Sequence, residues 1–505
     1  MSETLAKALC RTMDASLVET HISWLVLGRE TVLKLKKPVK FGFVDFSTLE
    51  RRRDCCEEEV RLNRRTAPAI YERVEPISGT EDDPRVGDGS DPFDYAVRMR
   101  RFDDSKLLDR LALEHDLDER VIDSLAEVVA AFHGQIRFGR IPDGFGTAEA
   151  IRAPAEENFD DLEALDHREA DRALLESLRR WSDETFQSRL TDFRARRDQG
   201  FVRECHGDLH LGNIYFENGR AIAFDCIEFN ASLRWIDVAA DIAFTVMDLA
   251  NHDLPDLGNR LLNEYLARTG DYGALRVMDW YLVYRAMVRA KVAAIRADQD
   301  AAHEQDLARQ CRHYLELARQ LSSPRHPAII LMCGLSGTGK TTVARQLASE
   351  LGAIHLRSDT ERKRLYGLHA DESSADFDLD IYTSAASERT FSRLEELATT
   401  VIESGRPVIV DATFIERRLR ERFESLADRL GVVWAINECT ASEATVRARL
   451  EGRTGDASEA GIAQFIDQRA AFEAFTVTEQ SQRIELDTER DLSDAAQRLQ
   501  GVIDR

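Results

Sequence analysis

The run Gly334-Leu335-Ser336-Gly337-Thr338-Gly339-Lys340-Thr341 constrains this 505-residue chain more than any other feature. It follows the apolar stretch AIILMC (328–333) and precedes the helical pattern TVARQLASEL. Glycines in such a loop let successive backbone N–H groups face phosphate oxygens, and the following helix N-terminus adds partial positive charge. The spacing fits G-x-x-x-x-G-K-[ST] in a strand–loop–helix context. Residues 334–341, with Thr342, are therefore expected to cradle a nucleotide. Lys340 is expected at the β/γ-phosphates, and Thr341 on Mg²⁺.

The surrounding pattern supplies partners for that loop. From Pro327 onward, strand-like runs at 353–356, 407–412, 431–438 and 483–486 alternate with long polar helices, the signature of a doubly wound parallel sheet. The apolar strand in RPVIVDATF (406–414) ends in Asp411, a strand-end carboxylate placed to hold Mg²⁺ through water. The second strand runs into Ser358-Asp359-Thr360-Glu361-Arg362. Asp359 would lie at the open sheet edge, where substrates enter, and could take a proton from an acceptor hydroxyl. Arg362 could steady the transferred phosphoryl group. The same Ser-Asp pair also suits a helix N-cap. Arg447, Arg449 and Arg453 form a candidate lid, with Arg453 assigned to the nucleotide.

The phosphate loop together with S-D-x-x-R resembles the small P-loop kinases related to zeta toxins, polynucleotide 5′-kinases and gluconate kinases. The resemblance covers about 175 residues and implies use of a nucleoside triphosphate. It leaves the acceptor open.

A second constellation lies far upstream. His206-Gly207-Asp208-Leu209-His210-Leu211-Gly212-Asn213 is followed by a short strand, a turn at Glu217–Arg220, and a strand ending in Asp225. Phosphoryl transfer needs a carboxylate at the acceptor hydroxyl and an amide oxygen plus a second carboxylate on Mg²⁺. Asp208 fits the first role, Asn213 and Asp225 the second, and His206 a bracing one. Asp237 and Asp241, four apart on a helical pattern, suit support of this loop. The H-G-D-x-H-x-x-N form resembles the aminoglycoside phosphotransferase family, over roughly residues 20–300. That resemblance implies a protein-kinase-like bilobal fold in which a strand lysine holds phosphates and pairs with a helix glutamate. Lys34 and Lys36 share one face of TVLKLKKPV, and either suits the strand position. Glu57, Glu58 and Glu59 are the candidate partners, with Glu58 carried as the site residue. No G-x-G-x-x-G precedes the strand; Gly28 stands alone.

The expected architecture is thus an α+β protein-kinase-like bilobal domain at 1–322 (N-lobe to about 100, C-lobe from about 101), then an α/β P-loop domain at 327–505. SSPRHP (322–327) is the linker-like stretch. End to end, the chain resembles a bacterial class of fused phosphotransferase/P-loop proteins. ATP and Mg²⁺ are the expected cofactors and a small hydroxylated metabolite the expected acceptor. The formal net charge of −23 argues against nucleic acid and anionic membranes as partners. The eight cysteines are scattered without a C-x-x-C pair, and no apolar run reaches membrane-spanning length, so a reducing cytosol is expected. A bifunctional kinase is the leading reading. An ATP-sensing protein with one active module, and a nucleic-acid end-kinase or toxin-like enzyme, are the alternatives. Only nine residues are lysine, and four of them fall at 34, 36, 37 and 40.

Overall fold

The computed structural model describes residues 3–41, 44–136, 141–165, 169–299, 302–370, 372, 374–377, 381–452, 458, 461–490 and 492–504. The chain packs as two compact units. One joins Met1–Ala164 to Leu190–Asp248, and the other joins Leu165–Arg189 to Leu249–Arg505.

The first unit carries a six-stranded antiparallel sheet. Its spatial order is Ser16–Glu19, Ser23–Leu27, Thr31–Lys36, Asp94–Arg100, Tyr71–Gly79 and Pro84–Val86. Alternation along the strand Thr31–Lys36 decides what each face does. Leu33 and Leu35 join Trp24, Val26 and the helix Glu3–Met13 in one core. Val32 faces the other way, onto Cys56 and Val60 of the helix Leu49–Asn63. Lys34 and Lys36 share the Val32 side by period. The sequence pattern predicts strands at 21–28, 31–39 and 93–102 and a charged helix from about Thr48 to Arg65, and all four are present with shorter ends. Three strands of this sheet go beyond expectation: Ser16–Glu19, Tyr71–Gly79, whose Pro76 and charged residues mask its pattern, and Pro84–Val86, which lies in the polar stretch 80–92 that the sequence predicts as a loop.

In the same unit, the hairpin Ile214–Glu217/Arg220–Ala223 follows the segment 206–213, and its turn is the expected one. Val202–Glu204 pairs with Trp235–Asp237, which leads directly into the helix Val238–Asn251.

The second unit holds the five-stranded parallel sheet expected of a P-loop kinase. Its order is Ile354–Arg357, Val408–Asp411, Ala328–Cys333, Val433–Thr440 and Arg483–Asp487. All six residues of Ala328–Cys333 are buried, as a central strand covered on both faces requires. The edge strand Ile354–Arg357 is blunted by a side chain. Asn263, on the helix Pro255–Thr269, donates its amide N–H to the Ala353 carbonyl at 2.9 Å and accepts from the His355 N–H at 2.7 Å. It thereby satisfies groups that an open edge would leave unpaired. Among the described residues, no helix is long and apolar enough to cross a membrane. All eight cysteines are free thiols.

Candidate functional sites

In the first unit, the segment 206–213 is held from beneath by one carboxylate. Asp241 Oδ2 accepts the His206 backbone N–H at 3.0 Å, and Oδ1 accepts that of Gly207 at 2.8 Å. His133 Nε2 lies 3.1 Å from Oδ2. Burial pushes the Asp241 carboxyl up, but the hydrogen bond and charge of His133, aided by His206, pull it down to about 2. Asp248 accepts the Leu211 N–H at 2.9 Å, so two turns of one helix brace the loop. Asp237 instead forms a buried fork with Arg196, at 2.6 and 2.8 Å. The His206 ring is buried, with Nε2 2.9 Å from the Phe224 carbonyl.

The carboxylates beyond that base are less enclosed. Asp208 keeps a side-chain exposure of 36% and accepts from Asn213 Nδ2 at 3.0 Å. Asp225, at φ 62°, sits in the left-handed region, and its N–H donates to the Tyr71 hydroxyl at 3.1 Å. Lys34 Nζ is bonded to Asp225 and lies 2.9 Å from Glu59. Lys36 meets Glu59 and Glu228. The carboxylate that both strand lysines meet is therefore Glu59. Glu58 turns away, to Arg61 at 2.6 Å and Arg234 at 2.7 Å. The Phe224 N–H donates to the Asn213 carbonyl at 2.9 Å, so Asp225 follows directly on a residue bonded to Asn213, which itself meets Asp208; carboxylate and amide oxygens of this kind, beside an ammonium, suit a divalent cation carrying phosphates. The sequence alone did not point to Glu228, Tyr71 or Asn63, whose Oδ1 accepts the Cys226 N–H at 2.8 Å.

In the second unit, the loop 334–339 follows the buried strand and opens the helix Lys340–Leu351. Gly334 has φ 138°, and a Cβ there would lie 2.5 Å from the Cys439 carbonyl oxygen, so glycine is required. The buried Lys340 Nζ donates to the Leu335 carbonyl at 2.8 Å. Desolvation of that ammonium lowers its pKa against the pull of Asp411, Cys439, Cys333 and Asp359. Thr341 Oγ1 donates to Asp411 Oδ2 at 2.7 Å, so a hydroxyl and a carboxylate stand together where a cation would sit. His355 Nε2 lies 3.1 Å from the same oxygen. Burial raises the Asp411 pKa, but His355 and Lys340 together bring it down to about 2. Ser336, Gly337 and Thr338 are buried, Leu335 and Gly339 partly so, and Thr342 is exposed on the first helical turn.

Asp359 lies in the first turn of the helix Ser358–Leu365, partly exposed at the carboxyl end of its strand. The helix N-cap is Arg357, without a side-chain cap bond, so the Ser-Asp pair does not serve as the cap. Arg362 is buried; it donates to the Ile381 carbonyl at 3.1 Å and to Ser387 at 3.3 Å, with its guanidinium over the Tyr382 ring. Arg449 donates to the Thr488 hydroxyl at 2.9 Å, and Thr488 donates to the Thr338 carbonyl at 2.7 Å. Arg447 pairs with Glu443. Arg453 lies outside the described residues. One contact had no sequence signal: Gln468 Oε1 accepts the Ser336 backbone N–H at 2.9 Å.

A phosphotransferase enzyme family model matches residues 29–281, and an AAA domain model matches 329–475. Uncharacterized proteins of Mycobacterium tuberculosis (strain H37Rv) and Mycobacterium bovis are each 30% identical over 444 residues, covering 88% of this chain and 87% of theirs. Among solved structures, a choline kinase from Cryptosporidium parvum is 12% identical, with a TM-score of 0.40, over 63% of this chain and 96% of that one. A gluconokinase from Sinorhizobium meliloti is 20% identical, with a TM-score of 0.27, over 36% of this chain and 94% of that one. With half its length under the first of these models, and with both mycobacterial relatives matched nearly throughout, the chain belongs to the phosphotransferase enzyme family and carries a P-loop kinase domain behind that module.

Proposed function

We propose that the chain is a bifunctional, ATP-dependent small-molecule phosphotransferase, with one acceptor site in each module. The observation that carries this reading is duplication: each module sets a phosphate-facing lysine beside a metal-type oxygen pair and a partly exposed carboxylate. In the first module these are Lys34, then Asn213 with Asp225, then Asp208. In the second they are Lys340, then Thr341 with Asp411, then Asp359.

Lys34 takes the phosphate role because it keeps some exposure and pairs with the half-exposed Asp225, whereas Lys36 and its partner Glu228 are sealed. Glu59 orients Lys34. In each module the acceptor oxygen attacks the γ-phosphorus, the bond to the β–γ bridging oxygen breaks, and ADP leaves. Asp208 receives the acceptor proton in the first module and Asp359 in the second. Bound Mg²⁺ would neutralise charge on the phosphates, held by Asn213 and Asp225 in one site and by Thr341 and Asp411 in the other. The backbone N–H groups of residues 334–339 cradle the phosphates, and Lys340 exchanges its carbonyl partner for a phosphate oxygen. Arg362 faces Tyr382 and a backbone carbonyl, which suits shaping of the acceptor pocket as well as phosphoryl contact. The acidic exterior favours compact acceptors over polyanions.

The test is metabolite phosphorylation profiling with the wild type, Asp208→Ala and Lys340→Ala. Each variant is expected to lose a different phosphorylated product, by about 100-fold or more. Loss of one and the same product in both would leave a single activity, and unchanged products in both would overturn the assignment.

A further inference from the structure

The first module contains more buried charge than a lysine–glutamate phosphate pair needs. Lys36 is fully buried, as is Glu59, and Glu228 is nearly so at 7% exposure. A buried ammonium is costly unless its partners are close, and a leucine would fill position 36 without that penalty. The contacts form a continuous chain: Asp225 to Lys34, Lys34 to Glu59, Glu59 to Lys36, and Lys36 to Glu228. Glu59 gives one oxygen to each lysine. The chain begins and ends on one segment, because Glu228 lies three residues after Asp225. That segment is thereby fastened twice to the strand Thr31–Lys36.

The two fastenings differ in what can reach them. Asp225 has a side-chain exposure of 41% and Lys34 of 11%, so their contact can be exchanged for phosphates and metal. Lys36 and Glu228 are enclosed, so their contact persists when the other opens. Charge balance leads to the same division. Once Asp225 serves a cation, Lys34 and Lys36 remain matched by Glu59 and Glu228. Without Glu228, Lys36 would have Glu59 as its remaining counter-ion and would draw it away from Lys34.

We infer that Lys36 and Glu228 are positioning residues for the first phosphate site, holding Glu59 against Lys34 and the Asp225 segment against the strand. This rests on the reading of that module as a nucleotide site. The test uses the full chain carrying Lys340→Ala to silence the other site. Mg·ATP is the probe, read by calorimetric affinity, by the rate of ADP release and by thermal unfolding. Glu228→Gln is expected to weaken Mg·ATP about tenfold while changing the rate at saturation less. Glu228→Asp should recover part of that affinity. The paired change Lys36→Met with Glu228→Leu replaces the ion pair by apolar groups, so the fold survives even if the single variant is unstable. It should recover part of the affinity, because Glu59 is left to Lys34, but stay below the parent, because the Asp225 segment has lost its second fastening to the strand. Parent-like affinity in a folded double variant would overturn the inference while leaving the nucleotide site standing. Absence of Mg·ATP binding in the parent itself would overturn the nucleotide-site reading, and the inference with it.

Discussion

Asp241 shows how one residue sets a loop. It spends both carboxylate oxygens on two consecutive backbone N–H groups and still meets His133. Asp241→Asn exchanges one acceptor oxygen for a donor, leaving buried N–H groups unmatched. A loss of about 3 kcal/mol in unfolding free energy is expected, with a fall in the Asp208-dependent product, measured by urea titration and product assay. The pH profile follows from the same group. Its folded pKa is about 2 against an ordinary 3.8. Its stabilisation is therefore complete above about pH 4 and lost as pH falls toward 2, roughly 2 kcal/mol in all. Asp411 behaves alike, so urea midpoints should hold from neutrality to about pH 4 and drop steeply below it. The contrast between Glu58 and Glu59 marks what sequence reveals at this scale. Residues 52, 56, 59, 60, 62 and 63 are the buried residues of one helix, and Cys56 and Asn63 lie one turn either side of Glu59. That pattern was present in the sequence, but three apolar residues among many charges made a faint signal. Glu228 had none, since its partner lies 192 positions away.

Elements with strong periodicity were easily read. The strand Ala328–Cys333 and the turn of the hairpin at 214–223 have the expected bounds, because both are fixed by local chemistry. The strand Tyr71–Gly79 escaped because pairing on both sides outweighs its proline and charges. A contact between elements can also be tested. Gln468, on the helix Ile462–Ala471, occupies the Ser336 N–H, a donor that a phosphate oxygen would need. On the proposed function, nucleotide displaces it. In a chain carrying Lys34→Ala to remove binding at the other site, Gln468→Ala is expected to tighten Mg·ATP about fivefold, one hydrogen bond's worth of competition. Equilibrium titration measures it. A weakened affinity would mean that Gln468 stays on the loop as a support for bound nucleotide.

Across the whole molecule, the formal charge of −23 coexists with only nine lysines, four of them buried. Lys34, Lys36, Lys340 and Lys363 are buried, and three of these belong to the two phosphate sites proposed above. The net charge therefore speaks only against polyanions, and the buried cations mark where phosphates would be held. The partition of the chain is less visible in sequence. Nothing in the residues around Leu249 signals that the following helices pack with the P-loop domain. Those helices contribute specific groups. Asn263 covers the sheet edge, Asn259 donates to the Ser349 carbonyl at 2.8 Å, and Asp279 pairs with both Arg325 and Arg406. A fragment spanning 327–505 would keep the phosphate loop but expose the edge strand Ile354–Arg357, whose His355 reaches Asp411. Unpaired strand edges promote association between chains. The fragment 327–505 is therefore expected to aggregate, or to melt about 10 °C or more below a fragment spanning 249–505. Asn263→Ala in the longer fragment should reproduce part of that loss, because it removes the two edge hydrogen bonds and leaves the apolar helix contacts in place. Light scattering and thermal unfolding of the three proteins provide the measurement. Equal melting temperatures for the two fragments would show that the P-loop domain stands without these helices.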